Sequence, residues 1–209
     1  LASITIHNWT EDCADPCCGT GTIPHEIINL KKFKIGVSKA VDTTWASDKY
    51  SLPLQIANIS MTSCETINMA NRIFQSNALE LKPGVTTDIV DPKTGIKLTY
   101  GIPLFGAICS NLPFIAFENV PAEDELLINQ EFDRDYVNRK SDLSYFIALH
   151  LANMLRDKGY LGIITSNAWL GTSAGAAFYC NLLEHYNLLQ VHVSGSGRWF
   201  QNADVVTTI

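Results

Sequence analysis

The stretch Asp15-Pro16-Cys17-Cys18-Gly19-Thr20-Gly21-Thr22, followed directly by an apolar helical run over residues 23–30, decides how this chain is read. A strand that ends in an acid, turns on two glycines and enters a helix lets a ligand approach the main chain, because glycine has no side chain to hold it off. The spacing is not the three-glycine dinucleotide fingerprint. Nor does a Lys followed by Ser or Thr close the turn, as a phosphate-binding loop requires. Taken alone, the turn fits an ordinary strand-to-helix connection as well as a ligand loop.

Outward from this turn, strand-like and helical stretches alternate. Residues 43–47 read as a short strand ending in Asp48, which suits either a ligand contact or the cap of the helix that follows. That helix covers residues 52–62, with Pro53 tolerated in its first turn. Residues 73–75 read as a third strand running into Ser76-Asn77, and residues 104–109 as a fourth running into Ser110-Asn111. Between these two, residues 86–100 hold two strand-like pieces around Asp91-Pro92-Lys93-Thr94-Gly95, a turn sequence that predicts an inserted hairpin. Further on, residues 143–156 carry apolar side chains at helical spacing, closed by Lys158-Gly159. A buried strand is expected over 161–165, a helix over 174–185, and strands over 188–193 and 205–209. The alternation predicts an α/β fold with a mostly parallel sheet and helices on both faces, and such sheets bind ligands outside the carboxyl ends of their strands.

With 209 residues, 46% hydrophobic and 17% charged, the chain is long enough to bury such a sheet as one domain over residues 1–209. No apolar run approaches the roughly 20 residues that cross a bilayer, and Leu1-Ala2-Ser3-Ile4 lacks the basic flank of a secretion signal, so a cytoplasmic location is expected. Both ends read as cut from a larger protein. Six scattered cysteines make a poor disulfide framework, and Cys13, Cys17 and Cys18 lack a second ligand pair at zinc spacing, so free thiols and no metal are expected. The net charge of -6 argues against a domain that grips nucleic acid by itself.

The second chemical constellation is Asn111-Leu112-Pro113-Phe114 at the end of the fourth strand. An amide, a main-chain carbonyl and an aromatic ring together suit a flat, amino-bearing base drawn out of a helix, although a turn with a core Phe is the plainer reading. Phe117 is expected in the core. His150, His185, Trp169 and Trp199 sit in patterns that suit packing rather than ligation.

Taken together, Asp15-Pro16-x-x-Gly19-x-Gly21 and the tetrad Asn111-Leu112-Pro113-Phe114, in that order, resemble the amino-group DNA methyltransferases of the gamma, adenine-N6 arrangement found in restriction-modification systems. Residues 143–170 and the segment Arg198-Trp199-Phe200-Gln201-Asn202-Ala203-Asp204-Val205 look like later segments of the same enzymes, so the likeness runs from about Cys13 to the end. The resemblance implies a Rossmann-like fold that binds S-adenosylmethionine. Asp15, Pro16, Gly19 and Gly21 would line its methionine part, Asp48 would hold the ribose hydroxyls and Asn77 would meet the adenine edge. It further implies that Asn111 and the Leu112 carbonyl accept from the target amino group while Phe114 stacks on the base. The family places target recognition in a separate domain or subunit and often works beside a nuclease, so DNA would be met through parts outside this chain. Leu112 stands where the family has proline, so Leu112→Pro is expected to have a neutral or favourable effect on rate provided that neighbouring packing tolerates the ring. Gly21→Val is expected to block the cofactor. Competing readings are an inactive binding module of a restriction complex and a methyltransferase acting on RNA or on a protein glutamine, with a nicotinamide oxidoreductase last because the glycine spacing is wrong.

Overall fold

The computed structural model of the chain describes residues 1–132, 141–193 and 206–209. In chain order its elements are α1 (Ala2–Thr5), β1 (Cys13–Asp15), α2 (Thr22–Ile35), α3 (Val37–Asp42), β2 (Thr44–Asp48), α4 (Ser51–Ser60) and β3 (Arg72–Gln75). There follow β4 (Thr86–Val90), β5 (Lys97–Gly101), β6 (Phe105–Asn111), α5 (Ala122–Glu131), α6 (Leu143–His150), β7 (Leu155–Ser166), α7 (Ser173–His185) and β8 (Thr207–Thr208). Two compact units emerge, Leu1–Ser110 with Asn153–Gly162, and Asn111–Ala152 with Ile163–Ile209. No helix among the described residues is long and apolar enough to cross a membrane.

In the first unit the strand order is β3-β2-β1-β6-β7. β1 lies between two parallel partners, with Cys13 opposite Thr44 on β2 and opposite Ala107 on β6. β2 and β3 are parallel as well, Trp45 facing Arg72. This is the mostly parallel, Rossmann-like α/β sheet that the alternation predicts. β4 and β5 form the expected antiparallel hairpin as a separate two-stranded sheet. The Arg72 guanidinium at the start of β3 lies 3.5 Å from the Tyr100 ring centre of β5, a cation–π contact between edge strand and hairpin.

The helices form where local chemistry permits. α2 begins immediately after Gly21, carries Pro24 in its first turn, where a missing N–H costs no hydrogen bond, and stops at Gly36, whose φ of +84° suits glycine alone. It runs to Ile35 rather than ending near residue 30. The Lys31-Lys32 pair looks like the start of a polar loop, but Lys31 turns inward and is 0% exposed. One core cluster joins Cys18, Ile28, Ala46, Leu54, Ala57 and Met61, so α2 and α4 pack against β2. A second joins Ala2, Ile6, Cys13, Ile27, Ala107 and Cys109.

Lys31 closes the amino end of the sheet. Its ammonium donates to the carbonyls of Glu11 (2.7 Å), two residues before β1, and of Thr43 (2.9 Å), one before β2, and to the Thr43 hydroxyl (2.7 Å). All three protons therefore have an acceptor, which is what makes burial of a lysine tolerable. Burial still pulls its pKa below the ordinary lysine value, with the neighbouring Cys13 thiol opposing.

In the second unit every residue of α6 is buried. Its Tyr145 stacks on Phe178 of α7 at 4.3 Å, and its Ala148 carbonyl accepts from the Tyr186 hydroxyl at 2.7 Å. The last residues of β7 pair antiparallel with β8, Thr165 opposite Thr208.

Two sequence expectations are corrected here. The helix expected over 143–156 stops at His150, a 3-10 turn covers Leu151–Met154, and the chain is extended from Leu155 onward. The apolar spacing continues through Leu151 and Met154 because both are fully buried, so periodicity alone does not mark the change of backbone. Lys158, expected with Gly159 to close that helix, instead takes φ +59° within β7. The strand expected over 188–193 does not form. Leu189 and Val193 are 69% and 52% exposed, and among the described residues the run finds main-chain partners only at its end, through His192 with Ile209 and Val193 with Thr208. Apolar alternation makes a strand only where a ladder partner is present.

Lys31→Met keeps the apolar stem but strands three acceptors at the amino end of the sheet. It is expected to lower stability by about 3 kcal/mol, measured by chemical denaturation.

Candidate active site

β1 is buried along its whole length and delivers Asp15 to the carboxyl end of the sheet. Asp15 is 1% exposed. Its Oδ1 accepts from the Ser110 hydroxyl (2.7 Å) and from the Cys17 N–H (3.2 Å), while Oδ2 is buried and has no hydrogen-bond partner. Burial pushes this carboxyl up to about 7, Ser110 and the Cys17 N–H pull it back, and the Asp48 charge raises it again. The thiols of Cys17 and Cys18 are pushed upward by the same burial and stay neutral.

The glycine turn is pinned to the end of β2. Gly19 donates its N–H to Asp48 Oδ2 at 2.9 Å, and Cys18 donates to the Ser47 carbonyl at 3.0 Å. Asp48 Oδ1 accepts from the Tyr50 N–H at 3.0 Å just before α4, so this carboxylate holds both the approach to that helix and the turn. The Ser76 N–H donates to the Asp48 carbonyl at 3.1 Å, which brings the end of β3 alongside. The next residue, Asn77, accepts from the Leu79 N–H and caps the 3-10 turn Ala78–Glu80. Asp15, Gly19 and Asp48 are thus joined within one hydrogen-bonded neighbourhood, with Asn77 one residue from it and Pro16 buried behind the turn.

The two glycines serve different ends. Gly19 has φ +51°, and a Cβ built there meets nothing within 4 Å. Gly21 has φ +87°, and a Cβ there would lie 2.8 Å from Ala57 Cα in α4. A side chain at Gly21 therefore collides with the packed helix, so Gly21→Val would damage the fold before it reached any ligand. The open side of the turn is over Gly19.

The tetrad opens the second unit. Asn111 ends β6 and is exposed, Leu112 is 1% exposed, and Pro113 and Phe114 are half-buried. The Leu112 N–H donates to the Ile164 carbonyl of β7 at 3.1 Å, a hydrogen bond that proline cannot make. Phe117 is buried with its ring 5.9 Å from Phe146, a core residue as expected. His150 is held by the Glu131 carboxylate at 2.6 Å, and the Trp169 indole donates to Thr208 at 2.9 Å, both packing roles. The segment at residues 198–205, with Trp199, lies outside the described residues.

Ser110 and Ser47 are the residues that sequence reasoning left without a role. Ser110 stood at a strand end in full view, yet nothing local says that its strand is the neighbour of β1. Chemically the neighbourhood of the turn offers acceptors (Asp15, Asp48, Asn77), and among the described residues no cation acts on Asp15, so it suits a ligand that brings a cation. All six cysteines are free, and among the described residues no group of three or more His, Cys, Asp or Glu side chains is arranged to hold a metal.

Residues 42–200 match the model of the Eco57I restriction-modification methylase family. Among solved structures, the type I restriction-modification methyltransferase subunit from Streptococcus thermophilus is similar, with a TM-score of 0.66 and 16% identity over 99% of this chain and 41% of that one. A Listeria monocytogenes protein described as a class I S-adenosylmethionine-dependent methyltransferase is similar at TM-score 0.59 and 16% identity, over 97% of this chain and 53% of that one. The type IIL restriction-modification enzyme MmeI, solved in complex with DNA, is similar at TM-score 0.59 and 16% identity, over 96% of this chain and 30% of that one. At these identities the likeness is one of fold, and the chain spans about half or less of the length of each.

Leu112→Pro is expected to destabilise by about 2 kcal/mol, because it deletes a sheet-end hydrogen bond and a buried side chain together, and urea unfolding measures it. A second expectation concerns Asp15, whose carboxyl is raised above its unfolded value. Between roughly pH 4 and pH 7 the native state holds a proton that the unfolded state has lost, so stability falls as pH rises, by up to about 1.4 kcal/mol per unit. Asp15→Asn removes this slope. The variant should gain in melting temperature relative to the parent between pH 5 and pH 8, as followed in thermal melts across that range.

Proposed function

The chain belongs to the Eco57I restriction-modification methylase family, and from that premise we propose that it transfers a methyl group from S-adenosylmethionine to the N6 amino group of adenine in DNA. The observation that carries the reading is the buried carboxylate oxygen of Asp15, unpartnered beneath a glycine turn that is open at Gly19. A cofactor bearing an ammonium and a sulfonium fits this acceptor-only set, in which Asp15 and the main chain at Gly19 would hold the methionine part. Asp48, with lone pairs left on each oxygen after its two N–H contacts, would accept from the ribose hydroxyls, and Asn77 would meet the adenine edge. When bound, the cofactor supplies an electrophilic methyl group on its sulfonium.

The tetrad supplies the other half of the reaction. An adenine amino nitrogen is a poor nucleophile because its lone pair is delocalised into the ring. The exposed Asn111 amide oxygen and the Leu112 carbonyl, accepting from both N–H bonds, would draw the nitrogen toward tetrahedral geometry and favour attack. Phe114 would stack on the extruded base. The departure from proline at Leu112 leaves the carbonyl in place, and the bond to Ile164 uses the N–H side of this residue.

With a net charge of -6, the chain itself contributes little counterion release. Sequence recognition, and any nuclease, would therefore come from a further domain or subunit, and the whole assembly would work on DNA in the cytoplasm.

Methyl transfer from labelled cofactor to adenine-containing duplex, with the full-length protein, tests the reading. Asn111→Ala is expected to lower turnover by about a hundredfold or more with cofactor affinity unchanged. Phe114→Ala should weaken capture of the flipped base by about 1 to 3 kcal/mol. Wild-type turnover in Asn111→Ala would remove the tetrad from the reaction, and labelling of RNA or protein in place of duplex would reassign the acceptor.

A further inference from the structure

Asp15 is a buried acid with no countercharge beside it among the described residues. Among the described residues, the groups that face it can be named. From the glycine turn come the Cys17 N–H and the neutral thiols of Cys17 and Cys18, from β6 the Ser110 hydroxyl and the Cys109 thiol, and from β2 the like-charged Asp48 carboxylate. Among these are two hydrogen-bond donors, both on Oδ1, and no cation. Oδ2 is shut away from solvent with nothing bound to it. An ionised carboxylate in such a place has lost its hydration and gained only half a shell of donors in return, so the protonated form is favoured. Lys31 shows the contrast, since each of its three protons finds an acceptor.

On the reading that this site takes S-adenosylmethionine, we propose that Asp15 makes the site select its ligand by positive charge, and that arrival of the cation displaces the proton from the Asp15 carboxyl. The balance is simple: carboxylic acid and cationic ligand give carboxylate, bound cation and one proton released to the buffer. No contact with Oδ2 is required, because attraction between a carboxylate and a cation over the turn acts across several ångströms of poorly screened interior. The carboxyl of the ligand-free protein stands near neutrality, at about 7. Affinity for a cationic ligand therefore rises about tenfold per pH unit below 7 and levels off above it, until the ligand's own amino group loses its proton at about pH 8. An uncharged ligand of the same shape leaves the proton where it is.

Titration calorimetry on the full-length protein reads this directly. S-adenosylmethionine is titrated at pH values from 5.5 to 8 in buffers of different ionisation enthalpy, and the buffer dependence of the heat gives the protons exchanged. Close to one proton released per ligand at pH 6, falling to near none at pH 7.5 to 8, is the expected result. 5′-Methylthioadenosine, which keeps the adenosine but carries neither ammonium nor sulfonium, should bind with no proton release and no pH dependence. Asp15→Asn should bind S-adenosylmethionine without releasing a proton. The methylthioadenosine comparison needs only the wild-type protein and stands even if the variant folds poorly. Binding of S-adenosylmethionine with no release at pH 6, or equal release with methylthioadenosine, overturns the inference while leaving the methyl-donor reading intact. No binding at any pH overturns both.

Discussion

Asp48 accepts the main-chain N–H of Gly19 across 29 residues of sequence, and most of what the first unit offers a ligand depends on that hydrogen bond. A turn with two residues at positive φ has no ladder to hold its shape. The carboxylate at the end of β2 supplies the missing acceptor, and the same side chain accepts from the Tyr50 N–H that leads into α4. Cys18 donating to Ser47 repeats the tie one residue earlier. The turn therefore inherits the rigidity of the parallel sheet, and α2 leaves it in a direction set by the sheet. An open space over Gly19 is kept clear by geometry rather than by chance packing.

The two ends of β1 carry opposite solutions to one physical problem, a charged group inside the protein. At the amino end, Lys31 holds the carbonyls that precede β1 and β2, and its donors are matched one for one. At the carboxyl end, Asp15 is matched on one oxygen only. A satisfied buried charge belongs to the fold, because folding alone completes it. An unsatisfied one is left for something outside the fold to complete, and this difference is why the proposed ligand site lies at the carboxyl end of the sheet. The same logic separates the two glycines, since Gly21 is needed by α4 and Gly19 is needed by no neighbour in the protein.

Much of this was legible in the chain. The glycine turn, Asp48 at the next strand end, Asn77 after the third, and the hairpin around Asp91-Pro92 all stand where turn chemistry and strand spacing put them. The misreadings share a cause. The apolar spacing through Met154 and the apolar alternation over 188–193 are patterns of side-chain burial and propensity, and backbone conformation follows them only where hydrogen-bond partners agree. At Leu112 the family pattern shows only a departure from proline, and the fold adds what no pattern names, an N–H bonded to Ile164 and a side chain in the core.

By itself the sequence determined the fold class, the glycine turn after β1 and the tetrad at the end of β6, because periodicity, capping and glycine placement act within a window of a few residues. Only the tertiary structure decided that β6 lies beside β1, and with it that Ser110 meets Asp15 across 95 residues while the second carboxylate oxygen is left alone. Strand order is a property of the whole chain, fixed when every element has found a face to bury. Whether an acid is satisfied or waiting depends on neighbours that no local pattern names.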